Sequence, residues 1–278
     1  MTPSDIEFIC GIVRQRSGLV LTPDKGYLLE SRLAPLARRE GFDSIEAMAR
    51  SLRTRRDERL ADLITEAMTT NETFFFRDKT PFEHFTEHML PELLKTRTSG
   101  AAIRIWCAAC SSGQEPYSLA MLIDEMAPKL AGRRVEIVGT DISPQVLEKA
   151  KAGVYSQFEV QRGLPVKYLV KHFEQQAETW RVKPELKRGV SFRTHNLLED
   201  FRGLGAFDIV YCRNVLIYFD PPTKKDVLAR VAAQTAKDGF LVLGAAETVI
   251  NLSQDFVGVK DRRGLYEQRG PLAAEKVA

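Results

Sequence analysis

Cysteine is scarce in this sequence. Cys10, Cys107, Cys110 and Cys212 are the only four among 278 residues, too few for a disulfide framework. No apolar run approaches the ~20 residues that span a bilayer. Residues 1–18 mix Asp5, Glu7, Arg14 and Arg16 into the apolar positions, unlike a signal peptide. Charge of one sign is also lacking. Forty Lys and Arg face 37 Asp and Glu, a net +3 that by itself implies no nucleic-acid partner. A reducing, cytoplasmic setting without membrane insertion is expected. Metal-binding spacing is missing too. The Cys107/Cys110 pair has no second pair of soft ligands nearby. His84-Phe-Thr-Glu-His88 is not HExxH, so these histidines are expected to be packed or solvated.

The hydrophobic share is 44% and the charged share 28%, ordinary values for a globular chain. Residues 1 to about 70 carry no strand signal and read as a small helical bundle. Ser4 with Glu7, and Asp43 with Glu46, have the spacing of capping boxes. Leu60, Leu63, Ile64 and Ala67 mark a further amphipathic helix. From about 100 the pattern changes. Apolar strands at 102–106, 135–140, 190–194, 207–212 and 239–243 alternate with helical stretches, which predicts an α/β fold with a parallel sheet. Residues 256–259 and 265–267 flank Asp261-Arg262-Arg263-Gly264 and predict a terminal hairpin. The domains are drawn as 1–76, a linker at 77–99 containing Pro81 and Pro91, and 100–270, with a frayed tail at 271–278. Residues 153–189 interrupt the alternation. Gly163, Pro165 and Pro184 break this insert, and residues 178–182 alternate as a strand, so a small subdomain is expected there.

Ligands of open parallel sheets bind outside the carboxyl ends of the strands. The first strand runs into Cys107-Ala-Ala-Cys-Ser-Ser-Gly113-Gln-Glu115-Pro116. Small residues allow close backbone approach, and Pro116 suits a first helical turn. One glycine is too few for a pyrophosphate cradle, and Glu115 would repel phosphate. A ligand without phosphate, bearing a sulfonium and an ammonium, fits better: S-adenosylmethionine (SAM). The plain alternative is an ordinary strand-to-helix turn. Asp141, ending the second strand, either accepts ribose hydroxyls or caps the next helix. Cys212-Arg213-Asn214 ends a buried strand where a pocket is expected, with Val215 and Leu216 available to line an adenine slot; the alternative is a turn that Asn214 satisfies.

Thr69-Thr-Asn-Glu-Thr-Phe-Phe-Phe-Arg77, Ala109–Ser118, Thr140-Asp-Ile142, Asn196-Leu-Leu198 and Cys212-Arg-Asn-Val215 together resemble the CheR family of chemotaxis receptor glutamate methyltransferases. The likeness spans nearly the whole chain, in order. It implies a helical N-terminal domain, a linker, and a Rossmann-like class I methyltransferase domain with an inserted β-subdomain. It implies that SAM, with S-adenosylhomocysteine as product, is held by Asn71, Thr73, Arg77, Glu115, Asp141, Asn196, Leu197, Asn214 and Val215. Glu115 would face the cofactor ammonium and Arg77 its carboxylate. Glu72 and the three phenylalanines after Thr73 vary from the family motif. The implied partner is the cytoplasmic helical domain of a chemotaxis receptor.

Methyl transfer to an ionised carboxylate requires no general base, since glutamate has an unperturbed pKa of about 4.3. No catalytic residue is assigned, and Tyr218 is read as packing. Arg50, Arg53, Arg55, Arg56 and Arg59 form a basic cluster. One continuous helix would put Arg53, Arg56 and Arg59 on the face of Leu52, Leu60 and Leu63, so a break is expected near Thr54, with Thr54 and Asp57 as a new capping pair. Arg55 and Arg56 would then sit in a first turn, where the dipole disfavours cations. Arg53, Arg55, Arg56 and Arg59 are the expected substrate contacts, against a plainly solvated loop. Two other readings stand beside this one: a different SAM-dependent carboxyl or protein methyltransferase, and a SAM-binding sensor module without turnover.

Overall fold

The computed structural model describes residues 1–21, 26–98 and 100–269. The tail expected at 271–278 lies outside the described residues. The chain forms two compact units. One comprises Met1–Thr70 with Tyr218–Thr223, the other Asn71–Ile217 with Lys224–Ala278. They divide after Thr70, earlier than the sequence boundary at 76. Asn71, Thr73 and Arg77 therefore belong to the larger unit.

Among the described residues of Met1–Thr70, the smaller unit has the helices α1 (Pro3–Ser17), α2 (Gly26–Arg39), α3 (Ile45–Arg55) and α4 (Glu58–Met68). Ile9, Val13, Leu33, Met48, Leu60 and Ile64 meet in its core. Three cap positions differ from those read in the sequence. Thr2, not Ser4, caps α1, closing a box with Asp5, because Pro3 is preorganised for the first turn. Ser44, not Asp43, caps α3 by accepting from the Ala47 N–H at 3.1 Å. Glu46 instead holds the Met1 ammonium at 2.6 Å, which draws its carboxyl down to about 2. The break between α3 and α4 falls at Arg56, in the left-handed region at φ +49°, and Asp57 alone caps α4. Thr54 lies inside the last turn of α3, its hydroxyl on the Arg50 carbonyl at 3.0 Å. Arg55 thus ends a helix, where the dipole favours a cation. The unfavourable first turn expected from the sequence does not exist.

In the larger unit a seven-stranded sheet has the order β6-β2-β1-β7-β8-β10-β9. Its strands are β1 (Ile103–Ala108), β2 (Val135–Asp141), β6 (Val190–Thr194), β7 (Phe207–Cys212), β8 (Thr235–Leu243), β9 (Phe256–Gly258) and β10 (Leu265–Gln268). The pairings β6–β2, β2–β1, β1–β7 and β7–β8 are parallel, and β10 is antiparallel to β8. Burial on both faces explains the nearly continuous apolar runs of β1 and β7. Strand β8 begins at Thr235, earlier than the expected 239, with a register shift between Phe207 and Ile209 where it joins β7.

The stretch read as a linker is helical. Thr80–His84, a wide π turn at Phe85–Met89 and Leu90–Thr96 run on without a break. Leu90 N–H reaches back to the Phe85 carbonyl across that turn, next to Pro91, which has no N–H to donate. Phe82, Phe85, Met89 and Leu93 are buried in the main core, so the segment packs as part of the unit. His84 is buried, with Nε2 3.3 Å from the Arg263 carbonyl, and His88 packs edge-on against Phe240. Residues 153–189 contain a second sheet, β3 (Val154–Ser156), β5 (Thr179–Val182) and β4 (Phe173–Gln176), antiparallel in the order β3-β5-β4. Phe75 packs edge-on between Tyr155 of β3 and Phe173 of β4, with centroids 5.0 and 5.6 Å away.

Candidate functional site

Register brings the candidate loops to one edge. Ala108 of β1 pairs with Thr140 of β2 and Cys212 of β7, and Asp141 pairs with Thr194 of β6. The ends of these four strands and the segments that follow them carry Ser111, Glu115, Asp141, Asn196, Leu197, Asn214 and Val215. Asp141 is 5% exposed. Its Oδ2 accepts the Ser111 N–H at 2.8 Å and its Oδ1 the Ser143 N–H at 3.0 Å. Ser143, not Asp141, caps the following helix. The carboxylate is thereby oriented by two loops.

The loop after β1 is tightly wound. Ala109, Ser111 and Gly113 all take positive φ, and the Ser111 hydroxyl donates to the Asn71 carbonyl at 2.8 Å. A Cβ on Gly113, at φ +90°, would lie 2.9 Å from the Ala150 Cβ, so this glycine serves close packing against the next helix. Helix Gln114–Glu125 starts there, putting Glu115 in its first turn, where the dipole favours a carboxylate.

Glu115 meets Arg213, a residue given no site role from the sequence. Arg213, with a side chain 2% exposed, donates to Glu115 Oε2 at 2.7 Å, to Asp78 Oδ2 at 2.8 Å and to the Arg77 carbonyl at 2.9 Å. Burial acts against the charged guanidinium, but Glu115 and then Asp78 outweigh it and raise its pKa. Two carboxylates around one guanidinium leave one negative charge in excess. Arg213 also pins a strained turn: Phe76, Asp78 and Lys79 have φ of +53°, +69° and +47°. The Phe76 N–H finds the Ser118 hydroxyl at 3.0 Å. Arg77 itself is half-buried, donates to the Glu72 carbonyl at 2.8 Å and lies 5.7 Å from the Phe74 ring centre. Thr73 is half-buried and Asn71 exposed.

Asn196 and Leu197 follow β6, and the His195 N–H donates to the Asp141 carbonyl at 2.9 Å. Asn196 Oδ1 accepts the Leu198 N–H at 3.0 Å, and Leu197 is buried. Asn214 and Val215 follow β7 half-buried, and Leu216 beside them is buried. Among the described residues, no group of three His, Cys, Asp or Glu is placed to hold a metal. Burial, first of all, pushes the Cys107, Cys110 and Cys212 thiols well up, so they lack thiolate reactivity.

The donor set suits SAM chemically. Asp141 offers acceptors for a diol, Glu115 and the excess negative charge suit a cation, and Arg77 suits a carboxylate. Arg213 had only its place in Cys-Arg-Asn as a sequence signal. Ser111 and Asp78 had none, since their roles depend on chain reversal.

In the smaller unit, the four candidate arginines divide. Arg53 donates to Asp5 at 3.0 Å and to the Ser4 carbonyl at 2.6 Å, and covers the Phe8 ring at 4.5 Å. Arg59 pairs with Glu40 at 2.7 Å, lowering the Glu40 pKa. Arg55 and Arg56 are exposed and make no ion pair among the described residues.

A mostly parallel sheet with helices, ending in an antiparallel pair, is the Rossmann-like class I methyltransferase fold. Residues 71–265 match the CheR methyltransferase SAM binding domain, and residues 4–69 match the CheR methyltransferase all-alpha domain. The chain belongs to the CheR methyltransferase family, and its larger unit carries the family's SAM-binding domain. It is 41% identical over 266 residues to chemotaxis protein methyltransferase 1 of Pseudomonas aeruginosa, covering 94% of this chain and 96% of that one. A chemotaxis protein methyltransferase 1 of Vibrio cholerae is 40% identical over 270 residues, with 95% and 97% covered. Chemotaxis protein methyltransferase Cher2 of Pseudomonas putida is 38% identical over 268 residues, again with 95% and 97% covered. Among the described residues, no helix is long and apolar enough to cross a membrane.

Proposed function

We propose that the protein methylates glutamate side chains on the cytoplasmic helical domain of chemotaxis receptors, forming methyl esters from SAM. The observation that carries this reading is the match of both units, in order, to the two CheR domains. Bound at the carboxyl ends of β1, β2, β6 and β7, SAM supplies an electrophilic methyl group on a sulfonium. The chain's own residues bind and orient. Asp141 accepts from the ribose hydroxyls, and Asn196, Leu197, Asn214 and Val215 border the adenine end. Glu115, held by Arg213, faces the ammonium. Arg77, Asn71 and Thr73 hold the amino-acid end. No residue removes a proton, because the receptor carboxylate is ionised at neutral pH. Orientation is the main catalytic contribution, of order 7–11 kcal/mol in favourable cases.

Arg55 and Arg56 are the arginines proposed to meet the acidic receptor helix. Arg53 and Arg59 are assigned to holding the helices of the smaller unit together. The test is incubation with tritiated SAM and receptor fragments. Label released as methanol in base is expected, and receptor Glu→Gln at the modified positions should remove it. Label that survives strong base would overturn ester formation. For the site, Asp141→Ala should weaken S-adenosylhomocysteine binding about tenfold or more in calorimetry, as expected when buried donors lose their acceptor. Unchanged affinity in a folded variant would take Asp141 out of the site.

A further inference from the structure

Glu247 lies just beyond β8, 9% exposed, and neither its spacing nor its neighbours marked it in the sequence. Its carboxylate gathers five backbone N–H groups. Oε2 accepts from Gly244 at 2.7 Å and Asn214 at 2.7 Å. Oε1 accepts from Val215 at 2.9 Å, Leu216 at 2.7 Å and Ile217 at 3.3 Å. Four of the five donors are consecutive residues following β7. Successive N–H groups turned inward in this way form an anion-binding concavity. In a nucleotide-binding fold such a concavity takes a phosphate; here the chain fills it with its own carboxylate.

The arrangement is tight. Asn214 sits at φ +58°, in the left-handed region that asparagine adopts more readily than other residues with a side chain. Gly244 makes room, since a Cβ there would stand 2.7 Å from Glu247 Oε2 and 2.9 Å from Asn214 Nδ2. Both oxygens are engaged as acceptors. An amide in place of the carboxylate would therefore aim its NH2 at backbone donors whichever way it turned.

We infer that Glu247 is a positioning residue for the cofactor: an internal anion that fixes Asn214 and Val215 in the conformation that borders the adenine end. This rests on the assignment of Asn214 and Val215 to the SAM site. Glu247 touches no ligand itself; it acts through the five amides.

The experiment is calorimetry with S-adenosylhomocysteine on the full chain, using the parent, Glu247→Gln, Glu247→Asp and Glu247→Ala, with thermal midpoints alongside. Glu247→Gln is expected to bind about tenfold more weakly or worse, consistent with donors left facing donors. Glu247→Asp keeps the charge and should fall between Gln and the parent. Added sodium formate should restore binding to Glu247→Ala, while sodium chloride at equal strength should not. Parental affinity in folded Glu247→Gln overturns the inference, as does formate that restores the thermal midpoint but not binding. If Glu247→Gln does not fold, the Asp variant and the formate arm decide. A parent that fails to bind S-adenosylhomocysteine would overturn the SAM assignment instead, which keeps the two failures apart.

Discussion

The carboxyl edge of the large sheet and the basic turn between α3 and α4 are built in opposite ways. The first collects residues from 71 to 247 of the sequence, and Asn71, Glu115, Asp141, Asn214 and Val215 each have a partner from another loop. The second is a run of neighbours in sequence, all exposed, whose members go separate ways: Arg53 and Arg59 pair with Asp5 and Glu40, while Arg55 and Arg56 make no ion pair among the described residues. Closeness in sequence did not make one patch, and distance in sequence did not prevent one site. The reason is energetic. A buried charge demands a partner, so Arg213 recruits from two other segments, whereas a surface arginine loses little by remaining in water.

The largest effect should come from the hub of that site. Arg213→Ala would leave Glu115 without its buried partner, and breaking such a pair costs about 3–5 kcal/mol. Urea unfolding should show that loss, together with loss of S-adenosylhomocysteine binding. A loss below about 1 kcal/mol would mean that the pair is solvated, and the contrast between the two regions would collapse.

Acidification sharpens the comparison. All four histidines lie in the larger unit and none in residues 1–70. Burial is the main cause that lowers His84, His172 and His195 below the ordinary 6.5. The unfolded chain takes up these protons first. Stability is therefore fully present above about 6.5 and lost as pH falls from there toward the lower folded values. Hydrogen exchange at about pH 7.5 and about pH 5.5, on either side of the unperturbed histidine value, should show weakened core strands β1 and β7. Helices α1–α4 should change less. Equal weakening of both units would remove histidine burial as the cause.

The smallest effect concerns the exposed arginines. Arg55→Glu/Arg56→Glu should lower kcat/KM for receptor several-fold, leaving SAM affinity and thermal midpoint close to the parent, since exposed pairs contribute about 0.2–1 kcal/mol each. The deficit should shrink with salt, as the Debye length falls from about 10 Å at 0.1 M to about 3 Å at 1 M. Normal receptor methylation at low salt would make the turn a solvated surface only. Arg53→Ala and Arg59→Ala should instead act on the stability of the smaller unit.

Much was legible without coordinates. Alternating apolar runs gave the parallel strands to within a few residues, because a strand buried on both faces has little choice of residue. The places of Asp141 at a strand end and of Glu115 in a first helical turn were readable, because such positions impose local chemistry. The cap positions were not. Thr2 against Ser4, and Asp57 against Thr54, compete within one turn, and Pro3 and the left-handed Arg56 decided the outcome. The helix at 80–96 was hidden because its two prolines signal a break, and the π turn that adjoins the second has no sequence signature.

The sequence by itself determined the family and the order of strands and helices along the chain, since periodicity and short motifs are local properties. Only the tertiary structure decided that Arg213 ties Glu115 to Asp78, that Ser111 joins Asp141 to Asn71, and that Glu247 fills the amide ring after β7. Each of these joins groups more than 25 residues apart in sequence, linked by the need of a buried charge or donor for a partner, and that need is settled only once the sheet has set its register.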